Sequence, residues 1–134
     1  ATNPRATWLV GKEPDTNFEV QDAVSPQEYA LAYHNIYELI KSIDPASQIG
    51  IGTIVQPTPL RLIWLDKMFA AHQTRYGVAP PSDFWSIHNF ILREKLNDWG
   101  AGVPPGLNEV SGELSSLDDT NNINIYALAD IMYW

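Results

Sequence analysis

The sequence predicts an α/β fold, and three observations carry that prediction. Short apolar runs at 7–10, 48–54 and 83–87 are too brief for helices; longer stretches between them repeat apolar residues at helical spacing; and each short run ends in polar or proline punctuation. The resulting order is strand, helix, strand, helix, strand, long loop, helix. Such alternation implies right-handed crossovers and a parallel sheet.

The first strand is Thr7 to Val10, running into Gly11-Lys12-Glu13-Pro14-Asp15. A helix then starts at Ser25-Pro26-Gln27-Glu28, a capping box in which Ser25 and Glu28 satisfy each other's free backbone donors while Pro26 takes the first helical position. Tyr29, Tyr33, Ile36, Tyr37 and Ile40 form its inner stripe, and Asp44-Pro45 ends it, because proline disfavours helical geometry in the residue before it.

Gln48 to Ile54 is the second strand. Thr58-Pro59 repeats the start logic for a second helix, with Leu62, Leu65, Met68, Phe69 and Tyr76 facing inward and Gly77 as terminator. Asp83 to Ile87 is the third strand. Residues 89–117 form a connection far longer than the usual limit of about 12–15 residues, and a third helix is expected from Asp118 or Asp119, with Ile123, Leu128, Ile131 and Met132 as its apolar positions.

Composition narrows the function. A chain of 134 residues with 45% hydrophobic content has material for one domain with a core. Its net charge of −8 disfavours nucleic acid, whose phosphates need Lys and Arg, and equally disfavours anionic membrane surfaces. No window approaches the roughly 20 apolar residues of a membrane span. With no cysteine there is no disulfide, thiolate ligand or cysteine nucleophile. Scattered His34, His72 and His88 lack paired metal-ligand spacing, so no metal is expected. There is also no Gly-x-Ser-x-Gly elbow, phosphate-cradling loop or dinucleotide fingerprint, and no cofactor is expected.

The polar residues that matter follow strands: Lys12, Glu13 and Asp15, then Gln56, then His88 and Asn89. In parallel α/β sheets that carboxyl edge is where ligands bind. Asp15 and Asp22 read as turn caps, and Glu94, Glu109 and Glu113 stand in no motif. Trp99, followed by Gly100 in the long loop, is a candidate platform for a ring-shaped ligand.

The segment from Trp8 to Asp15 resembles the strand-then-Asn-Glu-Pro motif of clan A glycoside hydrolases, the retaining TIM-barrel enzymes that include cellulases and xylosidases. The similarity continues through Ser25-Pro26-Gln27-Glu28-Tyr29-Ala30, Ile43-Asp44-Pro45-Ala46 and Trp85-Ser86-Ile87-His88, in order along the chain. It implies strands four to six of a (β/α)8 barrel, Glu13 as general acid/base, and Lys12, His88, Asn89 and Trp99 at a carbohydrate site. Lys12 replaces the family's asparagine. A cation there favours the ionised form of Glu13, against the need of an acid to hold its proton.

The family's nucleophile is a glutamate after the seventh strand, beyond the point these residues reach. Retaining hydrolysis needs two carboxylates about 5–5.5 Å apart, so Glu13 alone does not run it. A full barrel takes roughly 250 residues and eight strands, whereas about three β-α units are legible here. The expectation is therefore a partial TIM barrel within one domain over residues 1–134, a fragment of a larger catalytic domain that self-associates through open sheet edges. The rival expectation is a non-catalytic α/β module that binds a carbohydrate or a protein.

Overall fold

A computed structural model describes residues 4–17, 22–88, 90, 92–109 and 132. The chain is α/β: strand β1 (Thr7–Lys12), helix α1 (Pro26–Ile43), strand β2 (Gln48–Thr53) and helix α2 (Pro59–Tyr76). β1 and β2 pair in parallel, Thr7 opposite Gln48 and Val10 opposite Ile51, as the crossover through α1 requires. The expected third helix lies outside the described residues.

The third expected strand, Asp83 to Ile87, is corrected to two isolated parallel bridges, Gly50 with Phe84 and Ile54 with Ile87. Four residue steps on β2's side face three on the other, so a regular ladder cannot continue between them. Phe84 also lays its ring where a side chain at position 50 would stand, 2.6 Å from the place of a Cβ. The segment is nonetheless held alongside β2, because Asp83 and His88 donate backbone N–H groups to Ile49 and Ile54, each at 2.9 Å.

α1 begins as its sequence dictates. Glu28 N–H donates to Ser25 Oγ, and Ser25 N–H donates back to the Glu28 carboxylate. α2 ends at Gly77, whose φ of 77° is the left-handed conformation that glycine adopts without strain. The two helices pack against each other, and Tyr29, Tyr33, Ile49, Ile51, Ile54, Trp64, Leu65 and Met68 form one core with the strands. Ile36, expected in the inner stripe, is exposed, and Trp64 replaces it as the central apolar contact, its ring 5.4 Å from that of Tyr29.

Tyr29 also ties the strands. Its hydroxyl donates to Val10 O at 2.5 Å and accepts the Gly52 N–H at 2.7 Å, filling the gap where the ladder is interrupted. Gly52 permits this approach, since a Cβ there would meet Val10 O at 2.4 Å. β1 is less covered than a strand inside a parallel sheet: only Val10 is buried, while Trp8 and Leu9 are about half exposed.

Two of the histidines, His34 on α1 and His72 on α2, meet between the helices. Packing of α1 on α2 brings His34 Nδ1 to 3.2 Å from His72 Nε2, with His34 stacked on Tyr76 and His72 Nδ1 2.8 Å from Val78 O. Among the described residues no group of three His, Cys, Asp or Glu side chains is placed to hold a metal ion. No described helix is long and apolar enough to cross a membrane.

Candidate functional site

β1 ends at Lys12, and the next residue turns sharply. Glu13 has φ of 46°, a left-handed conformation uncommon outside glycine, and Thr16 N–H closes the turn onto Glu13 O at 3.1 Å. Non-glycine residues in that region cost of order 1–3 kcal/mol and cluster at functional sites. Here the turn carries the Glu13 side chain inward rather than to solvent, where it is 8% exposed.

Glu13 meets His88 there. His88 Nδ1 lies 2.5 Å from Glu13 Oε1, joining two residues 75 positions apart in sequence. His88 is anchored by its own backbone donor to Ile54 O, so the ends of β1, β2 and the third bridged segment converge on one spot. Its ring is 45% exposed and sits edge-on to the half-exposed ring of Phe90, with centroids 5.6 Å apart. The structure thus places a buried carboxylate behind a solvent-facing imidazole.

The other expected site residues fare differently. The Lys12 side chain is exposed at the strand end, and its backbone N–H donates to Asp22 Oδ2 at 2.5 Å. Asn89 lies outside the described residues. Trp99 is 43% exposed, but the Arg93 guanidinium sits 5.6 Å from its ring centroid, and no contact joins it to Glu13 or His88. Its closer relation is with Asp98, which accepts its backbone N–H and pairs with Arg93.

Beneath the Glu13 turn lies an ionic network that the sequence reading missed. Arg61 on α2 is fully buried and donates through Nε to Asp15, 3.3 Å away, and through Nη1 to Glu94, 2.9 Å away. Its remaining reach goes to Gly102 O at 2.5 Å and Ala101 O at 2.6 Å. One guanidinium at the start of α2 therefore binds the loop after β1 and the long connection, using the fixed fork that a lysine lacks.

Asp15 is corrected from a turn cap to a buried ion. Both its oxygens accept the Val55 N–H at 3.2 Å, and burial pushes its pKa up to about 6 against the opposing pull of Arg61 and that N–H. Glu94, expected to be unremarkable, caps α2. It accepts the Leu60 N–H at 2.9 Å and the Thr58 hydroxyl at 2.7 Å, so Thr58 turns to the network instead of capping its own helix. Gln56 locks the same region, exchanging two hydrogen bonds of 2.8 Å with the Leu92 backbone.

A signal for Arg61 does exist in the sequence. It stands in phase with Trp64, Leu65, Met68 and His72, so the one charged residue on that stripe faces the core and must meet opposite charge there.

Comparison with family models, curated proteins and solved structures finds no match to this chain.

Proposed function

We propose that this site acts on glycosides, in the manner of a retaining O-glycosyl hydrolase, with Glu13 as the acid/base carboxylate, His88 and Asn89 lining the sugar site beside Lys12, and the nucleophilic carboxylate supplied from outside these residues. On this reading the two β-α units belong to a partial (β/α)8 barrel. The observation that carries the reading is the Glu13–His88 contact: a strained, buried glutamate at a strand's carboxyl end, aimed at a histidine from the end of another segment.

One observation favours the second reading, a non-catalytic carbohydrate-binding module. The other two buried carboxylates described here, Asp15 and Glu94, are both held by Arg61, so neither stands free as a partner to Glu13.

The test is binding of β-linked gluco- and xylo-oligosaccharides to the chain, followed by tryptophan fluorescence. Saturable binding, weakened at least tenfold in His88→Ala, is expected. Absence of binding by any of these sugars overturns the carbohydrate reading. In a protein that carries the second carboxylate, Glu13→Gln should slow glycosides with poor leaving groups far more than those with good ones, because only the former need the proton.

The same reading accounts for the bare edge of β1. Its only ladder partner among the described residues is β2, and Trp8 and Leu9 are exposed beside it. An open edge of this kind pairs with another chain, and we expect dimers or larger species by light scattering. A strictly monomeric protein at high concentration contradicts this.

A further inference from the structure

We propose that a pocket in the long connection, lined by Asn17, Lys95, Asn97 and Asp98 over the backbone of residues 100–103, binds one sugar residue of a chain whose neighbouring part occupies the Glu13 site. This rests on the glycoside reading above and narrows its substrate class to oligo- or polysaccharides. The pocket holds about 220 Å³. That is the liquid volume of about seven waters at about 30 Å³ each, and less than the roughly 300–1,000 Å³ of pockets for drug-sized ligands. It has room for one ring.

Its walls are fixed. Gly100, with φ of 113°, packs so closely on Arg93 that a Cβ would stand 2.6 Å from Arg93 O. Gly102 N–H donates to Arg93 O at 3.1 Å, the carbonyls of Ala101 and Gly102 are held by Arg61, and Asn17 Nδ2 donates to Val103 O at 3.2 Å. The place of a Cβ on Gly102, by contrast, has no atom within 4 Å, so the hollow in front of this pocket-lining residue is open.

The groups around it suit hydroxyls, which need both donors and acceptors. The exposed Asn97 amide has no hydrogen-bond partner among the described residues and offers both, and Asn17 keeps its amide oxygen once Nδ2 is given to Val103. Lys95 Nζ is 3.7 Å from Asp98 Oδ2, too far for a hydrogen bond, and can donate to a ligand. Asp98 is already committed to the Trp99 N–H and to Arg93. An anion would have to compete with that carboxylate for the same cations, so a neutral hydroxyl-bearing ring fits better. Trp99, 43% exposed, stands in sequence between Asp98 and Gly100, which both line the pocket, and supplies apolar ring surface beside it.

The pocket and Glu13 flank one turn. Thr16 N–H closes on Glu13 O, and the Thr16 hydroxyl reaches Ala101 O at 3.5 Å. Asn17 follows Glu13 by four residues, a span of at most about 14 Å even for extended chain. A single oligosaccharide can therefore reach both.

The experiment titrates the chain with β-linked gluco- and xylo-oligosaccharides of two to six residues, read by tryptophan fluorescence, and repeats the series in Asn97→Gly, Gly102→Asn and His88→Ala. Asn97→Gly removes the amide at a position whose φ of 57° glycine holds without strain, and Gly102→Asn puts a side chain that tolerates φ of 64° into the open hollow. Affinity is expected to rise at least tenfold from the disaccharide to the hexasaccharide. Both pocket variants should weaken the hexasaccharide at least fivefold more than the disaccharide, whereas His88→Ala weakens every length alike. Affinity that does not grow with length, or that grows equally in both pocket variants, overturns the pocket and leaves the glycoside reading in place. Binding lost in Gly102→Asn yet untouched by His88→Ala supports the pocket and overturns the Glu13 site as a sugar site. Absence of binding at every length overturns both. Should Gly102→Asn unfold the chain, Asn97→Gly decides by itself.

Discussion

Replacing Arg61 with methionine is expected to destabilise the chain by about 3 to 5 kcal/mol at neutral pH, the range for removing one partner of a buried ion pair. The cost comes from what stays behind. Asp15 and Glu94 would face each other's surroundings without a counter-ion, and the Ala101 and Gly102 carbonyls would lose their donor. Part of this loss should disappear below about pH 6, where Asp15 takes up a proton. Arg61→Lys keeps the charge but cannot span all four partners, so an intermediate loss is expected. Urea denaturation followed by circular dichroism measures all three proteins, and a loss under about 1 kcal/mol for Arg61→Met would place the pair among weak, solvent-screened contacts.

The second large effect is in pH. Burial raises Asp15 from an ordinary 3.8 to about 6, so within that window the folded chain keeps a proton that the unfolded chain has released. Stability from this group is greatest at the acid end and falls as pH rises through the window, by about 3 kcal/mol for a shift of about two units. Hydrogen bonding acts oppositely at the surface, holding the carboxyls of Glu28, Asp44, Asp83 and Asp98 below their usual range. Those contributions are present above the ordinary carboxylate pKa and are lost as pH falls beneath it. Stability should therefore peak on the mildly acid side and decline toward neutrality. Denaturation midpoints between about pH 4 and 7 should show that decline, and Asp15→Asn should flatten it. An unaltered slope in Asp15→Asn would mean another group is responsible.

Much of this fold is legible because its signals are local. Ser25, Pro26 and Glu28 start a helix by chemistry within one turn, and Asp44-Pro45 and Gly77 stop theirs in the same way. The convergence of Glu13 and His88 is legible too, since neighbouring parallel strands bring their carboxyl ends together. The third strand was misjudged because its composition is right and its register is not: one residue fewer than β2 between two bridges cannot be seen without knowing where the bridges fall. The Arg61 network was missed for a related reason. The phase of Arg61 on α2 points it inward, but Asp15 and Glu94 are ordinary surface residues when taken singly, and only the packing of α2 under the Glu13 turn makes the three one unit. Thr58 shows how such a unit overrides local preference, giving up its own cap to bind Glu94.

The paired histidines between the helices obey a parity rule. Val78 O can only accept, so His72 must carry its hydrogen on Nδ1, and its Nε2 is then a lone pair that only a hydrogen on His34 Nδ1 can meet. The direction of every hydrogen bond along the seam between α1 and α2 is thus set from one end, by a single backbone carbonyl.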